Sequence, residues 1–344
     1  MITYVVVIVG IAFLFDFING FHDSANSIAT VVGTRVLSPI TAVGWAAMFN
    51  FLAAFTVGTA VAKTIGVGMI DITIVTPSVI LGALLGAIVW NLITWWFGLP
   101  SSSSHALLGG YAGAAIAKAG FGSVIISGWT KTIAFIFISP VVGLVLGYAL
   151  MVMNYWIFRN SPAARTERLF RHGQLASSAL FSFSHGANDA QKTMGIVTGL
   201  LVATQAHFVG RSGLLHHMYV PTADHIPYWV EITAYTTIAM GTLFGGWRII
   251  HTMGSRITRL KPVGGFAAET GGALSILLAT KFGIPVSTTH TISGAIVGAG
   301  AAHRVRGVRW GIAGRIAWGW VFTIPAAAVM SAICYWLLAL LVQP

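Results

Sequence analysis

Apolar residues gather into long runs separated by short polar breaks, without the strict alternation that marks half-buried strands. Runs of the roughly 20 residues needed to cross a bilayer lie near 4–33, 39–62, 77–97, 102–118 and 124–156. A second set of five lies near 174–203, 228–250, 264–282, 286–302 and 312–341. The most polar stretch, from Arg159-Asn160-Ser161-Pro162 to Arg171-His172-Gly173, falls between the sets. The pattern predicts an all-α integral membrane protein in two halves, residues 1–158 and 174–344, joined by a basic cytoplasmic linker at 159–173.

The halves repeat one another. At an offset of 166, Phe15, Phe17, Gly20, Asp23, Val31 and Gly33 fall on Phe181, Phe183, Gly186, Asp189, Val197 and Gly199. At 185, Gly98, Pro100, Ser102, His105, Gly109 and Gly113 fall on Gly283, Pro285, Ser287, His290, Gly294 and Gly298. At 188, Gly58, Thr64 and Gly66 meet Gly246, Thr252 and Gly254, which places a 22-residue insertion at the polar outer loop 204–227. An odd number of crossings per half turns the second half upside down. Loop charges agree: with the N-terminus outside, 13 Lys and Arg, from Arg35 through the linker to Arg315, lie on inner loops, against Lys63, Lys118, Lys131 and Arg211 outside, as the positive-inside rule requires. Two inverted-topology repeats with interrupted helices are the build of a secondary transporter. Each half is expected to hold a discontinuous first helix, a second helix, a re-entrant hairpin (around Pro100 or Pro285) and a last helix.

Composition sharpens the membrane reading. Only 8% of the 344 residues are charged and 56% are hydrophobic, whereas soluble domains carry about 25% charge; mean hydropathy is +0.83. The net charge of +11 comes without a basic stripe or stacking motif, so nucleic acid is excluded as a partner. A single cysteine, Cys334, rules out a disulfide framework and a cysteine metal cluster. The run after Met1 lacks a basic n-region and cleavage site and reads as a span. The histidines of the outer loop, His207, His216, His217 and His225, are too irregularly spaced for a metal site.

Two repeated motifs carry candidate chemistry. The first run contains Asp16 and Gly20-Phe21-His22-Asp23-Ser24-Ala25-Asn26; its partner reads His185-Gly186-Ala187-Asn188-Asp189-Ala190-Gln191-Lys192. Intramembrane acids are costly and usually functional. A helix broken at these glycines would let Asp23, Asn26, Asn188 and Asp189 hold a coupling cation or proton. His22 and Gln191 flank these positions, Lys192 stands where the first half has Asn26, and Glu269 lies in the arm leading to Pro285. The second motif is Gly98-Leu99-Pro100-Ser101-Ser102-Ser103-Ser104-His105, repeated as Gly283-Ile284-Pro285-Val286-Ser287-Thr288-Thr289-His290. Gly-x-Pro stops one helix and the Ser/Thr tract caps the next, leaving N–H and hydroxyl donors at an electropositive helix start. Two such starts facing each other suit a tetrahedral oxyanion. An intramembrane hydrolase fails on geometry, because adjacent residues such as Ser104 and His105 do not face each other on a helix. A channel fits less well than a carrier, since buried acids beside anion donors imply coupling.

At these four motifs the chain resembles the inorganic phosphate transporter family, the group of bacterial low-affinity phosphate carriers, over nearly its whole length. The resemblance implies a non-enzymatic carrier in the cell inner membrane. It would import inorganic phosphate by symport with a proton or sodium, as the free anion or a metal-phosphate complex; a sulfate or other oxyanion symporter of the same fold is the alternative. Carried over by position, Ser102, Ser103, Ser104, Ser287, Thr288 and Thr289 would bind phosphate, and Asp23, Asn26, Asn188 and Asp189 the coupling cation. Membrane lipid and a homodimer partner are further expectations; no resident cofactor or metal is. Against a negative-inside potential each charge on phosphate costs about 2.3 kcal/mol per 100 mV, so uptake needs a co-transported cation.

Overall fold

A computed structural model describes residues 1–341, and among them every named element is helical. The first half comprises α1 (Ile2–Gly33), α2 (Pro39–Leu52), α3 (Ala60–Gly68), α4 (Pro77–Trp96), α5 (Ser103–Ala119) and α6 (Ile126–Ile157). The second comprises α7 (Ala163–Ala203), α8 (Tyr228–Phe244), α9 (Trp247–His251, running on into a short π-helix), α10 (Pro262–Lys281), α11 (Thr288–His303) and α12 (Trp310–Leu341). Five of these (α1, α4, α6, α10 and α12) are long and apolar enough to cross a membrane, and α2 with α3 adds a bent sixth. All ten predicted segments are present as helix.

The expected breaks in the first helices are absent. Both α1 and α7 run without interruption through their Asp and Gly motifs. Their polar residues recur at helical spacing (Asp16, Asn19, Asp23, Asn26 and Thr30 on α1; His185, Asp189 and Lys192 on α7) and form one inward stripe. Neighbouring helices engage that stripe at Asp16, Asp23, Asn26 and Thr30, and the backbone ladder stays whole. The glycines serve close packing instead: a Cβ on Gly186 would lie 2.5 Å from the Asn50 carbonyl oxygen, and one on Gly20 would strike the Ile238 carbonyl, 188 positions further on than Asn50.

Discontinuity falls one segment later. The second span turns by 80° between α2 and α3, and its counterpart breaks at Gly245-Gly246 between α8 and α9. Each restart is capped from the other half: Gln191 Oε1 accepts the Val61 N–H at 2.8 Å, and Ser24 Oγ accepts the Gly246 N–H at 2.5 Å. Of the predicted linker, everything from Ala163 onward is the start of α7.

Two helical hairpins, α4–α5 and α10–α11, lie at the centre. Gly98 (φ +63) and Gly283 (φ +66) end their first arms in the left-handed conformation that glycine tolerates. Leu99 N bonds Thr94 O and Gly98 N bonds Trp95 O, with Ile284 to Ala279 and Gly283 to Thr280 repeating the pattern, a Schellman stop with proline just beyond. The opposite half holds each tip: Thr252 Oγ1 donates to Gly98 O at 3.0 Å and Thr64 Oγ1 to Gly283 O at 2.8 Å. The long helices α12 and α6 clasp α5 and α11, made possible by Gly109, Gly113, Gly294 and Gly298, where a Cβ would meet Ile324, Ala328, Pro140 and Leu144 backbone. Their outer faces expose Phe137, Val141, Val145, Phe322, Val329 and Trp336, apolar surface suited to lipid.

Candidate functional site

The second arms of the hairpins start at the centre of the molecule. Ser102 and Ser287 are their N-caps: each hydroxyl accepts a backbone N–H three residues on, from His105 and His290, at 3.2 Å. These two predicted anion ligands hold the helix starts, and each keeps its hydroxyl hydrogen to donate. The next two positions in each tract point elsewhere. Ser103 Oγ donates to Asp23 Oδ1 at 3.0 Å, and Thr288 Oγ1 to Asp189 Oδ2 at 3.3 Å. Ser104 Oγ accepts from Lys192 Nζ at 2.5 Å, and Thr289 Oγ1 from Asn26 Nδ2 at 2.9 Å. The first two contacts each stay within one half, whereas the second two cross between the halves at matched positions. The tips themselves touch, with Thr289 Oγ1 bonding Ser101 O at 3.3 Å and the His105 and His290 rings 4.5 Å apart.

Charge concentrates at the same point. Lys192 and Asp189, 1% and 0% exposed, pair at 2.5 Å, and the ammonium also donates to Val286 O at 2.8 Å. His22 Nδ1 lies 2.8 Å from Asp23 Oδ1, and its Nε2 lies 3.1 Å from Thr94 Oγ1. Ligand atoms of Asp23, His185 and Asp189 all fall within 4.8 Å of one another, close enough for one small cation to bridge the halves. Burying carboxylates without a counter-charge costs several kcal/mol, so the cluster has a standing demand for positive charge that Lys192 meets only in part. His185 escaped the sequence reading, although its spacing of four from Asp189 places it one helical turn away on the same face.

The other candidates lie apart from this centre. Asn188 donates to Thr280 Oγ1 at 2.9 Å and to Ile284 O at 3.3 Å, tethering a hairpin tip while its buried Oδ1 has no partner. Gln191 caps α3. Glu269 accepts from Thr30 at 2.6 Å, Gln174 at 2.9 Å and Ser177 at 2.5 Å, a separate buried network one turn beyond Asn26. Asp16 accepts from Thr193 at 3.0 Å. Ser104 and His105 diverge, the hydroxyl towards Lys192 and the ring towards His290, so no nucleophile and base converge there.

This arrangement can hold a tetrahedral anion between two helix starts, with hydroxyls on both sides and carboxylates for cations next to it. The model of the phosphate transporter family matches residues 19–331. A Rhizobium meliloti (strain 1021) protein named "Probable low-affinity inorganic phosphate transporter" is 53% identical over 95% of this chain and 94% of its own length. A Bacillus subtilis (strain 168) protein of the same name is 46% identical over 98% and 97%. Among solved structures, one titled "The sodium-dependent phosphate transporter" is similar at a TM-score of 0.84 and 25% identity, covering 99% of this chain and all of that one.

Proposed function

The chain belongs to the phosphate transporter family, and from that premise we propose that it imports inorganic phosphate across the cell inner membrane by symport with a cation, proton or sodium. It is a multi-pass membrane transporter, not an enzyme. The observation that carries the mechanism is the convergence of two Ser/Thr-capped helix starts, one from each half, beside Asp23 and Asp189.

In this reading phosphate lies between the starts of α5 and α11. Free backbone N–H groups of the first turns donate to it, joined by the hydroxyls of Ser103, Ser104, Thr288 and Thr289. The cation lies between Asp23 and Asp189, with His185 and the amide of Asn26 nearby. Neither ligand is comfortable alone: the carboxylates repel the anion, and the helix starts repel the cation. Binding together cancels both costs, which is the physical content of coupling. Each half supplies one hairpin, and we read the halves as inverted repeats, so rocking one tip against the other opens the site to one side at a time. The threonine contacts at Gly98 and Gly283 make each tip move with the opposite half.

Labelled phosphate uptake into proteoliposomes under separately imposed sodium and proton gradients tests this. One gradient is expected to drive accumulation, and Asp23→Asn and Asp189→Asn each to abolish that drive. Uptake indifferent to both gradients would overturn symport; unimpaired uptake in both variants would overturn the cation site.

A further inference from the structure

The two halves match at the carboxylates, Asp23 and Asp189, but differ in charge three residues further on. At the offset that pairs Asp23 with Asp189, Asn26 pairs with Lys192. The contacts are matched too: Asn26 reaches Thr289, and Lys192 reaches Ser104, the residue that corresponds to Thr289. An amide in one half thus stands where an ammonium stands in the other, in the same place relative to the opposing hairpin. We infer that the Lys192 ammonium takes the place of one coupling cation, tethered by its side chain, so that the chain carries one exchangeable cation fewer per phosphate than an amide at this position would demand. This inference rests on the symport reading above.

Three features support it. First, the ammonium is fully engaged as a bound cation would be: its three N–H donors meet Asp189 Oδ1, Ser104 Oγ and the Val286 carbonyl at 2.5 to 2.8 Å. Second, a lysine offers no lone pair and carries like charge, so it denies a free cation the ligands and the space that an asparagine oxygen would give. Third, the other end remains open. Among the described residues Asp23 has no Lys or Arg partner, only the ring of His22, so an exchangeable cation is still needed there. Two carboxylates against one ammonium leave a formal charge of −1 before phosphate arrives; removing the ammonium makes it −2 and adds one cation to what anion entry requires.

The test compares the full-length wild type with Lys192→Asn and Lys192→Met. Labelled sodium and phosphate fluxes into proteoliposomes give the number of sodium ions per phosphate. Sodium-dependent protection, read as the melting midpoint of the purified proteins in sodium against choline chloride, gives binding without transport. Lys192→Asn is expected to move one sodium more per phosphate than wild type and to gain a sodium-dependent rise in midpoint beyond that of wild type. Lys192→Met, which lacks an oxygen ligand, is expected to gain neither. Equal ratios and equal midpoint shifts in wild type and Lys192→Asn would overturn the inference, as would Asn and Met variants that respond alike. If Lys192→Asn proves inactive, the midpoint comparison decides alone. Absence of wild-type phosphate uptake in every medium would instead remove the symport reading, which separates the two failures.

Discussion

Neighbouring serines on one hairpin tip should fail in opposite ways. Ser104 Oγ faces Lys192 at the centre, whereas Ser102 Oγ is occupied by the His105 N–H. In Ser104→Ala the ammonium keeps Asp189 and Val286 O as acceptors, so the fold should survive. What is lost is a hydroxyl that donates to a charged ligand, worth about 1.5–3 kcal/mol, or about a 10- to 150-fold rise in half-saturating phosphate. Ser102→Ala removes an N-cap instead, costing about 0.5–2 kcal/mol of stability, and should lower the melting midpoint with a much smaller effect on half-saturation. The matched pair on the other tip, Thr289→Val and Ser287→Ala, should repeat the contrast, since Ser287 caps His290 while Thr289 meets Asn26. Concentration-dependent labelled-phosphate uptake and thermal unfolding of the same four preparations make the check. An unchanged half-saturation in Ser104→Ala, together with a large rise in Ser102→Ala, would refute the division of the tract into cap and ligand.

Gly186→Ala would put its Cβ 2.5 Å from Asn50 O, where contact needs about 3.4 Å; parting α7 from α2 by about 0.9 Å should cost about 1–3 kcal/mol and displace Asp189, lowering both melting midpoint and uptake, while Gly10→Ala, with open space around it, should do neither. Gln191→Ala strands the Val61 N–H, held at 2.8 Å; a loss of about 1–3 kcal/mol in stability with little change in half-saturating phosphate is expected from thermal unfolding and uptake. Glu269→Ala leaves Thr30, Gln174 and Ser177 donors without their shared acceptor and should lower the midpoint more than Glu269→Gln, which keeps an oxygen in place.

Segment count, hairpins and helix stops were legible because each has a local cause. Apolar run length sets a span, and Gly-x-Pro followed by a Ser/Thr tract sets a stop and a start regardless of what packs around them. The state of α1 and α7 was not local. Glycine beside aspartate in an apolar run reads as a break when the helix is considered alone, but Gly20 and Gly186 face the backbone of α8 and α2, and the polar stripe is met by the tips of both hairpins. The spacing of Asp16, Asn19, Asp23, Asn26 and Thr30 at threes and fours was the signal for an intact helix, and it outweighs two glycines at about 1 kcal/mol each. Likewise the true interruption after α2 was visible only as the matched pair Gly58 and Gly246, which the offsets aligned without showing what the glycines do.

Internal repetition also separates scaffold from chemistry. Positions that agree between halves, such as Gly98 with Gly283, Ser102 with Ser287 and Thr64 with Thr252, make the same contact twice and fix the geometry. Positions that differ include buried polar residues of α1 and α7: Asn19 with His185, His22 with Asn188 and Asn26 with Lys192. A site symmetric in every residue would present two equal carboxylate and amide pockets to cations and no distinction between them. Each carboxylate has one histidine beside it, so replacing one amide by an ammonium is what gives the Asp189 end a resident positive charge and leaves the Asp23 end to exchange. On that argument the departures from the repeat, not the repeat itself, set which ions travel with the anion.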